Sequence, residues 1–547
     1  MVAPPWGFAV FLSEGGNNAY GEEYVIHNRP AALVPAGCLL LAFSVLGFLA
    51  TSSAASDQPS GEDIASLIEQ LGDPDFAVRD RAQERLADLG EAAYNALTIA
   101  ANDPDLEIAA RARYLLRTIE MPVVRETDSE RVKNTLAEYS DLATEDQLLR
   151  VRVLMTLPEG QGYRAACRLA HIENSVIMSK YIATTILNNW PVHDQGRTRM
   201  QEAVDAELKQ SGRQAARWLV DFARLDSDSK ADPAPFRNLV EEEESLLRQR
   251  SPRTGERVVV ALLCTLAYSE TLRGESDPAR KHFERAQQLA FAHPESPASF
   301  SFEMADYFKS RGMIDWAAEV YKKVSEAGDA RFISYAHWEL AEMFHDAGRD
   351  AEAVAALDAT LGSLGGERLK GSDILSTEQV RARKHFFLAC LARDRSEDEK
   401  LRAELLDALK NDPNELDSLI ALYRIPDLEE PVRKNVTAMI ETAAGRLRQE
   451  ANAAPEDASA HNEFAWVVGN TTGDMQEALK HALRAVELRP ESGACLDTLA
   501  HVYFYGLKDI GKAVETQAKA VEFSPHSGLI RQKYELFRKA ASEQKIK

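Results

Sequence analysis

Apolar residues recur every three or four positions along most of the chain, which is the spacing of one face of an α-helix. Stripes of this kind occur in LLRVRVLMTL, GYRAACRLAHI, SVIMSKYIATTILNNW and RQAARWLVDFARL, and turn signals such as PEGQG and PVHDQG separate them. Strict alternation of apolar and polar residues, the pattern of a half-buried strand, does not persist anywhere in the sequence. The pattern therefore predicts an all-α fold.

The helical pattern repeats at a fixed interval. MADYFKSRGMIDWAAEVY, residues 304–321, is followed 36 residues later by LAEMFHDAGRDAEAVAAL, residues 340–357. Small residues at matched places let two helices approach, a glycine permits the turn between them, and bulky residues fill the space between neighbouring pairs. The matched residues are Ala305, Phe308, Gly312, Ala317 and Tyr321 in the first copy and Ala341, Phe344, Gly348, Ala353 and Leu357 in the second. A period of this length predicts an α-solenoid of stacked helix pairs.

This spacing resembles the tetratricopeptide repeat (TPR), a helix-turn-helix unit of about 34 residues. Four further copies keep it, with Glu270 in the aromatic place of one and Ser396 in place of the glycine in another; they lie at 267–286, 389–413, 465–490 and 500–525. The resemblance implies a TPR array over 256–415, linking helices over 416–455, and a TPR pair with a capping helix over 456–541.

A second repeat family precedes the TPR copies. GDPDFAVRDRAQERL and NDPDLEIAARARYLL lie 30 residues apart, and each begins with an Asp suited to cap a helix N-terminus. The residues Asp75, Val78, Arg79 and Ala82 resemble a turn and second helix of the HEAT family, although Ala109 replaces the arginine in the second copy. We expect a HEAT-like repeat pair over 58–120 and, over 125–255, helices without a clean period.

The N-terminal part contains one apolar run. Residues 31–50 carry no charge and are numerous enough to span a bilayer, and the small residues TSSAAS that follow suit a signal-peptidase site after Ala55. Two alternatives stay open for 31–55, a removable signal peptide and a retained transmembrane anchor. Residues 1–30 form a leader that is long for a signal peptide, and a translation start near Val25 would shorten it.

The charges around this run indicate its orientation. Arg29 precedes it and acids follow it, so we expect the body to be exported, either periplasmic or extracellular, or anchored in the cytoplasmic membrane with the body outside. If residues 31–50 are not cleaved, they contact the membrane. The arrangement resembles exported or membrane-anchored bacterial repeat proteins.

Composition excludes several classes of function. The formal net charge of −22 disfavours a nucleic-acid partner, because phosphate backbones bind clustered Lys and Arg. The sequence contains no GxGxxG, GxxxxGK[ST], HExxH or GxSxG motif, and its 12 histidines are scattered. The five cysteines lack metal-type spacing and stand too far apart for a disulfide framework. We therefore expect no enzyme, no cofactor and no metal site.

The resemblance to TPR proteins implies that the first helix of each pair lines a concave groove. Residues three places before the small residue, or one place after it, face this groove: Phe302, Asp306, Trp338, Glu342, Phe386, Asn462, Trp466, Asp497 and His501. Cys390 holds the same place beside Phe386. Aromatic side chains beside acids suit a peptide or helix that is apolar and basic. We expect Phe302, Trp338 and Phe386 to be partly exposed.

These observations favour a non-catalytic protein–protein interaction scaffold of the cell envelope, which binds a peptide or helix of another protein in the TPR groove. Two alternatives remain. An enzyme accessory subunit or cryptic hydrolase would place its site in the helices of 125–255, whereas a carbohydrate or cell-wall binding module would stack sugars on the groove aromatics.

Overall fold

The computed structural model describes residues 61–292, 297–326, 330–364 and 376–546, and every regular element in these ranges is helical. The leader, the apolar segment 31–50 and the predicted cleavage site lie outside the described residues. No helix in the described ranges combines the length and the apolarity needed to cross a membrane. The predicted all-α fold is confirmed.

The N-terminal helices begin where the sequence places their caps. The Asp75 carboxylate accepts a hydrogen bond from the Ala77 amide at 2.9 Å, and that of Asp105 accepts one from the Glu107 amide at 2.8 Å. Each cap satisfies an amide that the first turn of a helix leaves without a partner. The four helices of this part are α1 Gly61–Gln70, α2 Phe76–Leu89, α3 Glu91–Ala100 and α4 Leu106–Thr118. Their likeness to HEAT repeats stays a prediction.

The helices without a clean period pack onto the TPR units that follow them. One continuous hydrophobic core runs from Val132 in this region to Phe387 in the TPR array. The region therefore does not fold around a core of its own. Its helices are α5 Glu130–Thr135, α6 Thr144–Met155, α7 Tyr163–Ile172, α8 Val176–Asn188, α9 Asp194–Glu207, α10 Gln214–Ser227 and α11 Ala234–Arg248, with short 3₁₀ turns at Tyr139–Asp141 and Pro158–Gly160.

The TPR array consists of four successive helix pairs, as the repeat spacing predicts. In each pair the small residues that mark the motif are buried, for example Ala305 and Ala317 at 0 % exposure. The pairs are α12 Glu256–Leu272 with α13 Ser276–Ala292, α14 Pro297–Ser310 with α15 Ile314–Glu326, α16 Ala330–Asp346 with α17 Asp350–Leu364, and α18 Thr377–Asp394 with α19 Asp398–Asn411.

The linking helices of 416–455 form one more pair, and the C-terminal TPR units follow it. A short π-helical turn, Val502–Gly506, extends the first helix of the last unit. The helices are α20 Leu416–Tyr423, α21 Glu430–Ala453, α22 Ala458–Asn470, α23 Met475–Leu488, α24 Gly493–His501, α25 Ile510–Phe523 and α26 Gly528–Ile546. The last of these occupies the place of the predicted capping helix.

The turns between paired helices explain the repeated glycine. Gly274, Gly312 and Gly348 have φ values of 78°, 73° and 73°, a left-handed conformation that glycine adopts without the strain a Cβ would add. Ser396 takes the same place with φ of 57°. The turn geometry of the repeat is thus kept even where the glycine is absent.

The C-terminal end contacts helices far earlier in the chain. The Ser527 hydroxyl donates a hydrogen bond to Asp346 Oδ1 at 2.6 Å, and a Cβ at Gly528 would lie only 2.3 Å from the Asp346 carbonyl oxygen. We call this junction the closing contact. Beside it, a Cβ at Gly312 would lie 2.5 Å from the His526 ring. The start of α26 therefore packs directly against the turns of the TPR array.

A second junction joins the C-terminal units to the helices of 125–255. Glu491, in the turn between α23 and α24, accepts hydrogen bonds from the Glu159 amide at 2.8 Å and from Arg199 at 3.2 Å. The rings of His193 and Phe523 meet edge to face with centroids 4.8 Å apart. The C-terminal units are thus held at two places, by the TPR array and by the helices of 125–255.

Candidate interaction surface

Two of the aromatic residues predicted to face a groove are buried. Phe302 is 1 % exposed and Trp338 5 % exposed, so the prediction of partial exposure is wrong for both. The Phe302 ring packs against the rings of Tyr321 and Tyr335, with centroids 5.9 and 5.5 Å away. Because Tyr335 belongs to the first helix of the next repeat, Phe302 fills the junction between repeats. Phe386 is half-buried, as predicted.

The predicted acids on the same helices remain partly open to solvent. The Asp306 side chain is 42 % exposed, accepts a hydrogen bond from the Tyr321 hydroxyl at 2.7 Å, and has Lys309 Nζ at 3.2 Å. The Glu342 side chain is 24 % exposed and pairs with both Nε and Nη2 of Arg383, at 2.7 and 2.8 Å. Each acid therefore already has a cationic neighbour within the chain.

Arg383 is the centre of an ion network on the inner face. Its Nη1 also donates to Glu415 at 2.9 Å and to Asp417 at 2.7 Å, and its side chain is only 6 % exposed. Its guanidinium lies 4.9 Å from the Phe386 ring centroid. The network therefore connects α16, α18 and α20, three successive first helices.

Burial and the charge of Arg383 have opposite effects on the pKa values of two acids, Glu415 at the N-cap of α20 and Asp417 in its first turn. Burial raises the pKa of Glu415 above its ordinary value, and the attraction of Arg383 offsets only part of that. For Asp417 burial also acts upward, but Arg383 together with the hydrogen bond from Trp466 holds the pKa below its ordinary value. Asp417 is thus the more firmly ionised partner of the guanidinium.

The predicted residues of the C-terminal TPR pair continue the same surface. Trp466 Nε1 donates to Asp417 Oδ1 at 3.0 Å, and its ring lies 4.8 Å from that of His501. His501 is 1 % exposed, and its Nδ1 stands 2.8 Å from Asn470 Oδ1. Burial is the main reason that the pKa of His501 lies well below its usual range. It is therefore neutral, which makes it a packing residue and not a cationic contact.

Asn462 lies half-buried on α22, and its Oδ1 has no hydrogen-bond partner within the described part of the chain. Its place in the groove stays a prediction.

Helix α26 covers the C-terminal end of this surface. The buried Phe537 ring lies 5.5 Å from the His501 ring. Burial raises the pKa of Asp497, and the charge of Lys533 offsets part of that effect. Asp497 accepts a hydrogen bond from Gln517 Nε2. The chain's own last helix therefore occupies the end of the groove that Asp497 and His501 line.

No family model and no curated protein matches the sequence. Among solved structures, YrrB, described as a TPR protein with an unusual peptide-binding site, is 15 % identical, covers 45 % of this chain and 96 % of its own, and has a TM-score of 0.17. Yeast Tom70 is 12 % identical, covers 86 % and 97 %, and has a TM-score of 0.28. The P58(IPK) TPR domain is 12 % identical, covers 76 % and 99 %, and has a TM-score of 0.18.

TM-scores this low support no conclusion about shape or function. The fold is therefore assigned from the helix pairs and the turns between them. The described residues form an α-solenoid of stacked helix pairs, with the turns that the TPR-like spacing predicts.

Residues outside the predicted set organise the surface of this solenoid. Arg383 and Asp417 make the contacts that join the predicted residues, and neither was predicted from the sequence. A signal for Arg383 was present, because it lies about one helical turn before Phe386 on the first helix of its repeat, whereas Asp306 and Glu342 put acids at the groove places of the two preceding repeats. Matching opposite charges across adjacent repeats would have linked it to Glu342.

The helices of 125–255 contain one pair of residue types that a hydrolase uses. His171 Nδ1 lies 2.8 Å from Ser211 Oγ. Burial, with Arg213 and Arg125 nearby, lowers the pKa of His171 to about 4. A general base works best with a pKa near the operating pH, and two arginines beside the ring oppose the imidazolium that it would become. The pair is therefore better suited to hold the Ser211 turn than to activate a nucleophile.

We expect Asp497→Asn to stabilise the protein at high pH but not at low pH. Burial, partly offset by Gln517 and Lys533, raises the pKa of Asp497 to about 6. The folded state therefore binds the carboxyl proton of Asp497 more tightly than the unfolded chain does. The stabilisation that this proton provides is full below about pH 4 and is lost as the pH rises through 6. At pH 8 the variant should gain about 3 kcal/mol, since the pKa of Asp497 is raised from 3.8 to about 6 and one pKa unit corresponds to roughly 1.4 kcal/mol.

Thermal or urea unfolding of both proteins at pH 4 and pH 8 measures this difference. Asp205→Asn, at an exposed position of α9, is the matched control and should change stability by less than about 0.5 kcal/mol at either pH. A gain for Asp497→Asn that is the same at both pH values contradicts the prediction.

Proposed function

We propose that the protein is a non-catalytic protein–protein interaction scaffold of the cell envelope and that it binds a peptide or helix along the inner face of α14, α16 and α18. The observation that carries this proposal is the row formed by Asp306, Glu342 and Phe386. They sit at groove places of three consecutive first helices, and all three keep part of their surface open to solvent.

The chemistry of this row favours an apolar and basic partner segment. Asp306, with 42 % of its side chain exposed, retains carboxylate surface that a Lys or Arg of the partner can reach. Phe386 adds an aromatic surface whose other side is held by the Arg383 guanidinium. An anchor that is already held in place binds at a lower entropic cost than a mobile side chain.

The envelope location is supported by the sequence of residues 31–55, either as a signal peptide or as an anchor that leaves the body outside the cytoplasm. A helical scaffold with a net charge of −22 would present a largely acidic surface there. Basic segments of other envelope proteins are therefore the partners that its charge favours.

The carbohydrate alternative loses its main support. Sugar stacking needs open aromatic faces, but Phe302 and Trp338 are buried between repeats. The hydrolase alternative would need a polarised nucleophile in 125–255, and the Ser211–His171 pair has the wrong electrostatic surroundings for that role. The scaffold remains the function that the described geometry favours.

A photo-cross-linking amino acid at position 386 tests the proposal in living cells. We expect discrete adducts of the full-length protein, with a yield that Asp306→Asn lowers because the partner loses a carboxylate contact worth about 1 kcal/mol, roughly fivefold in affinity. Asp315→Asn on α15 is the matched control, since Asp315 also pairs with a cationic side chain, Arg349, but its side chain is 82 % exposed and lies outside the row. It should leave the yield unchanged.

Two results would reject this site. One is a cross-linking pattern at position 386 that matches the pattern at Leu483, an exposed apolar residue of α23. The other is an equal yield in the Asp306→Asn and Asp315→Asn proteins, which would mean that the carboxylate row does not contribute to binding.

A further inference from the structure

Three side chains with metal-binding chemistry meet inside the TPR array, next to the row described above. His345, Asp350 and Cys390 each offer one donor atom, and these atoms all lie within 4.8 Å of one another. The three residues are 8 %, 6 % and 3 % exposed. Because burying polar and ionisable side chains is costly, the meeting of a carboxylate, an imidazole and a thiol at one buried place needs an explanation.

The helix pairs hold the three residues from different directions. His345 is in the last turn of α16, Asp350 in the first turn of α17, and Cys390 near the C-terminal end of α18. The left-handed Gly348 closes the turn that brings Asp350 back beside His345. The His345 ring is also stacked on the Phe387 ring, with centroids 4.6 Å apart. The donors are therefore fixed by rigid elements, as a metal site requires.

The cluster is not part of the repeat pattern. At the places of His345 and Asp350, the preceding repeat has Lys309 and Ile314. In the repeat that follows, an arginine and an aspartate take those places. The combination of imidazole, carboxylate and thiol thus arises at one junction of the array and does not follow from the packing needs common to all its units.

We propose that His345, Asp350 and Cys390 bind a divalent transition-metal ion of the zinc class. The set of one nitrogen, one oxygen and one sulfur donor suits Zn²⁺ and Co²⁺, whereas Ca²⁺ and Mg²⁺ prefer oxygen donors alone. Three protein ligands leave a fourth position of a tetrahedral ion for water.

The charges around the cluster are compatible with a cation. Arg383 and Arg393 lie near Cys390, and the carboxylates of Asp346 and Asp417 lie near His345. Burial raises the pKa of the Cys390 thiol to about 12, so metal binding has to displace the thiol proton, which leaves to solvent or buffer. The arginines favour the thiolate that results, and the carboxylates balance the charge of the ion.

His345 Nδ1 and Asp350 Oδ1 lie 2.5 Å apart and form a hydrogen bond. Donor atoms around a tetrahedral zinc ion stand about 3.3 to 3.8 Å apart, given bond lengths of roughly 2.0 to 2.3 Å. Binding therefore requires the imidazole and carboxylate to separate by about 1 Å, which a small rotation of two side chains provides. The hydrogen bond keeps the two ligands together until the ion replaces its proton.

Cobalt titration of the purified full-length protein under reducing, anaerobic conditions tests the site. We expect one Co²⁺ per chain, with a near-ultraviolet charge-transfer band that arises only when a thiolate binds the ion, and displacement of Co²⁺ by Zn²⁺. Cys390→Ser should abolish the band, and Asp350→Asn should weaken Co²⁺ binding by more than about 100-fold, since even outer contacts of a metal site change affinity by about 10- to 100-fold.

Cys264→Ser is the matched control, because Cys264 is an equally buried free thiol on α12. It should keep both the band and the stoichiometry. Circular dichroism establishes that each variant is folded, and Asp350→Asn, which preserves the shape of the side chain, replaces Cys390→Ser if the latter unfolds. A wild-type protein that binds no stoichiometric Co²⁺ overturns the proposal, with His345 and Asp350 then being a hydrogen-bonded pair only. A band that persists in Cys390→Ser overturns it as well.

Discussion

Arg383→Met is expected to lower the free energy of unfolding by about 3 to 5 kcal/mol, because it leaves a buried ion network without its only shared cation. Arg383 holds Glu342, Glu415 and Asp417, and its side chain is 6 % exposed. Methionine replaces the length of the side chain but none of its five donors. Urea unfolding followed by circular dichroism, at neutral pH, gives the measurement.

The matched control is Arg349→Met. Arg349 also bridges two repeats, through Asp315 and Glu352, but its side chain is 34 % exposed and its partners are more open. Solvent screens such pairs, so the control should lose less than about 1 kcal/mol. Adding Glu415→Gln and Asp417→Asn to Arg383→Met should restore part of the loss, because the repulsion between unpaired acids disappears. Equal losses for the two arginine variants would show that the network contributes no more than a surface pair.

Trp338→Ala is expected to destabilise the protein by about 3 to 5 kcal/mol, the cost of truncating a large side chain inside a packed core. Trp338 is 5 % exposed and belongs to the same core as Phe302. This result would differ from that of a ligand-binding aromatic, whose removal reduces binding and leaves stability almost unchanged. The change in melting temperature, measured by differential scanning calorimetry, distinguishes the two.

Phe76→Ala provides the comparison for an aromatic residue on the surface. Phe76 is 60 % exposed on α2, so its removal should cost less than about 1 kcal/mol. If the Trp338→Ala and Phe76→Ala proteins melted at the same temperature, Trp338 would not be a core residue. The prediction that it faces the groove would then hold.

The helix pairs were predictable because their causes are close together in the sequence. An Asp at the start of an apolar stripe caps the helix, as Asp75 and Asp105 do, and a glycine between two stripes takes the left-handed turn, as Gly312 and Gly348 do. Ser396 shows that the period predicts the turn even without the glycine. Each of these features depends on fewer than about ten neighbouring residues.

The candidate surface was predictable only in part, because exposure depends on how successive repeats meet. Spacing placed Phe302 and Asp306 on the same side of α14, and the structure agrees, but only Asp306 reaches solvent. Tyr335 of the next repeat covers Phe302, and the angle between repeats that brings it there is absent from a consensus pattern. Contacts such as Ser527 with Asp346 are less visible still, since their partners are 181 residues apart.

The closing contact changes how the array is expected to respond to partial unfolding. In an open row of repeats each unit touches only its neighbours, so terminal units detach first and at little cost. Here Ser527 lies against Asp346, 181 residues earlier, and Glu491 lies against Arg199, 292 residues earlier, so the last units have partners far from them in the sequence. Detaching them breaks two distant junctions at once. Amide protons of α25 should therefore exchange with solvent as slowly as those in the middle of the array. The repeats should unfold together and not one after another from the C-terminal end.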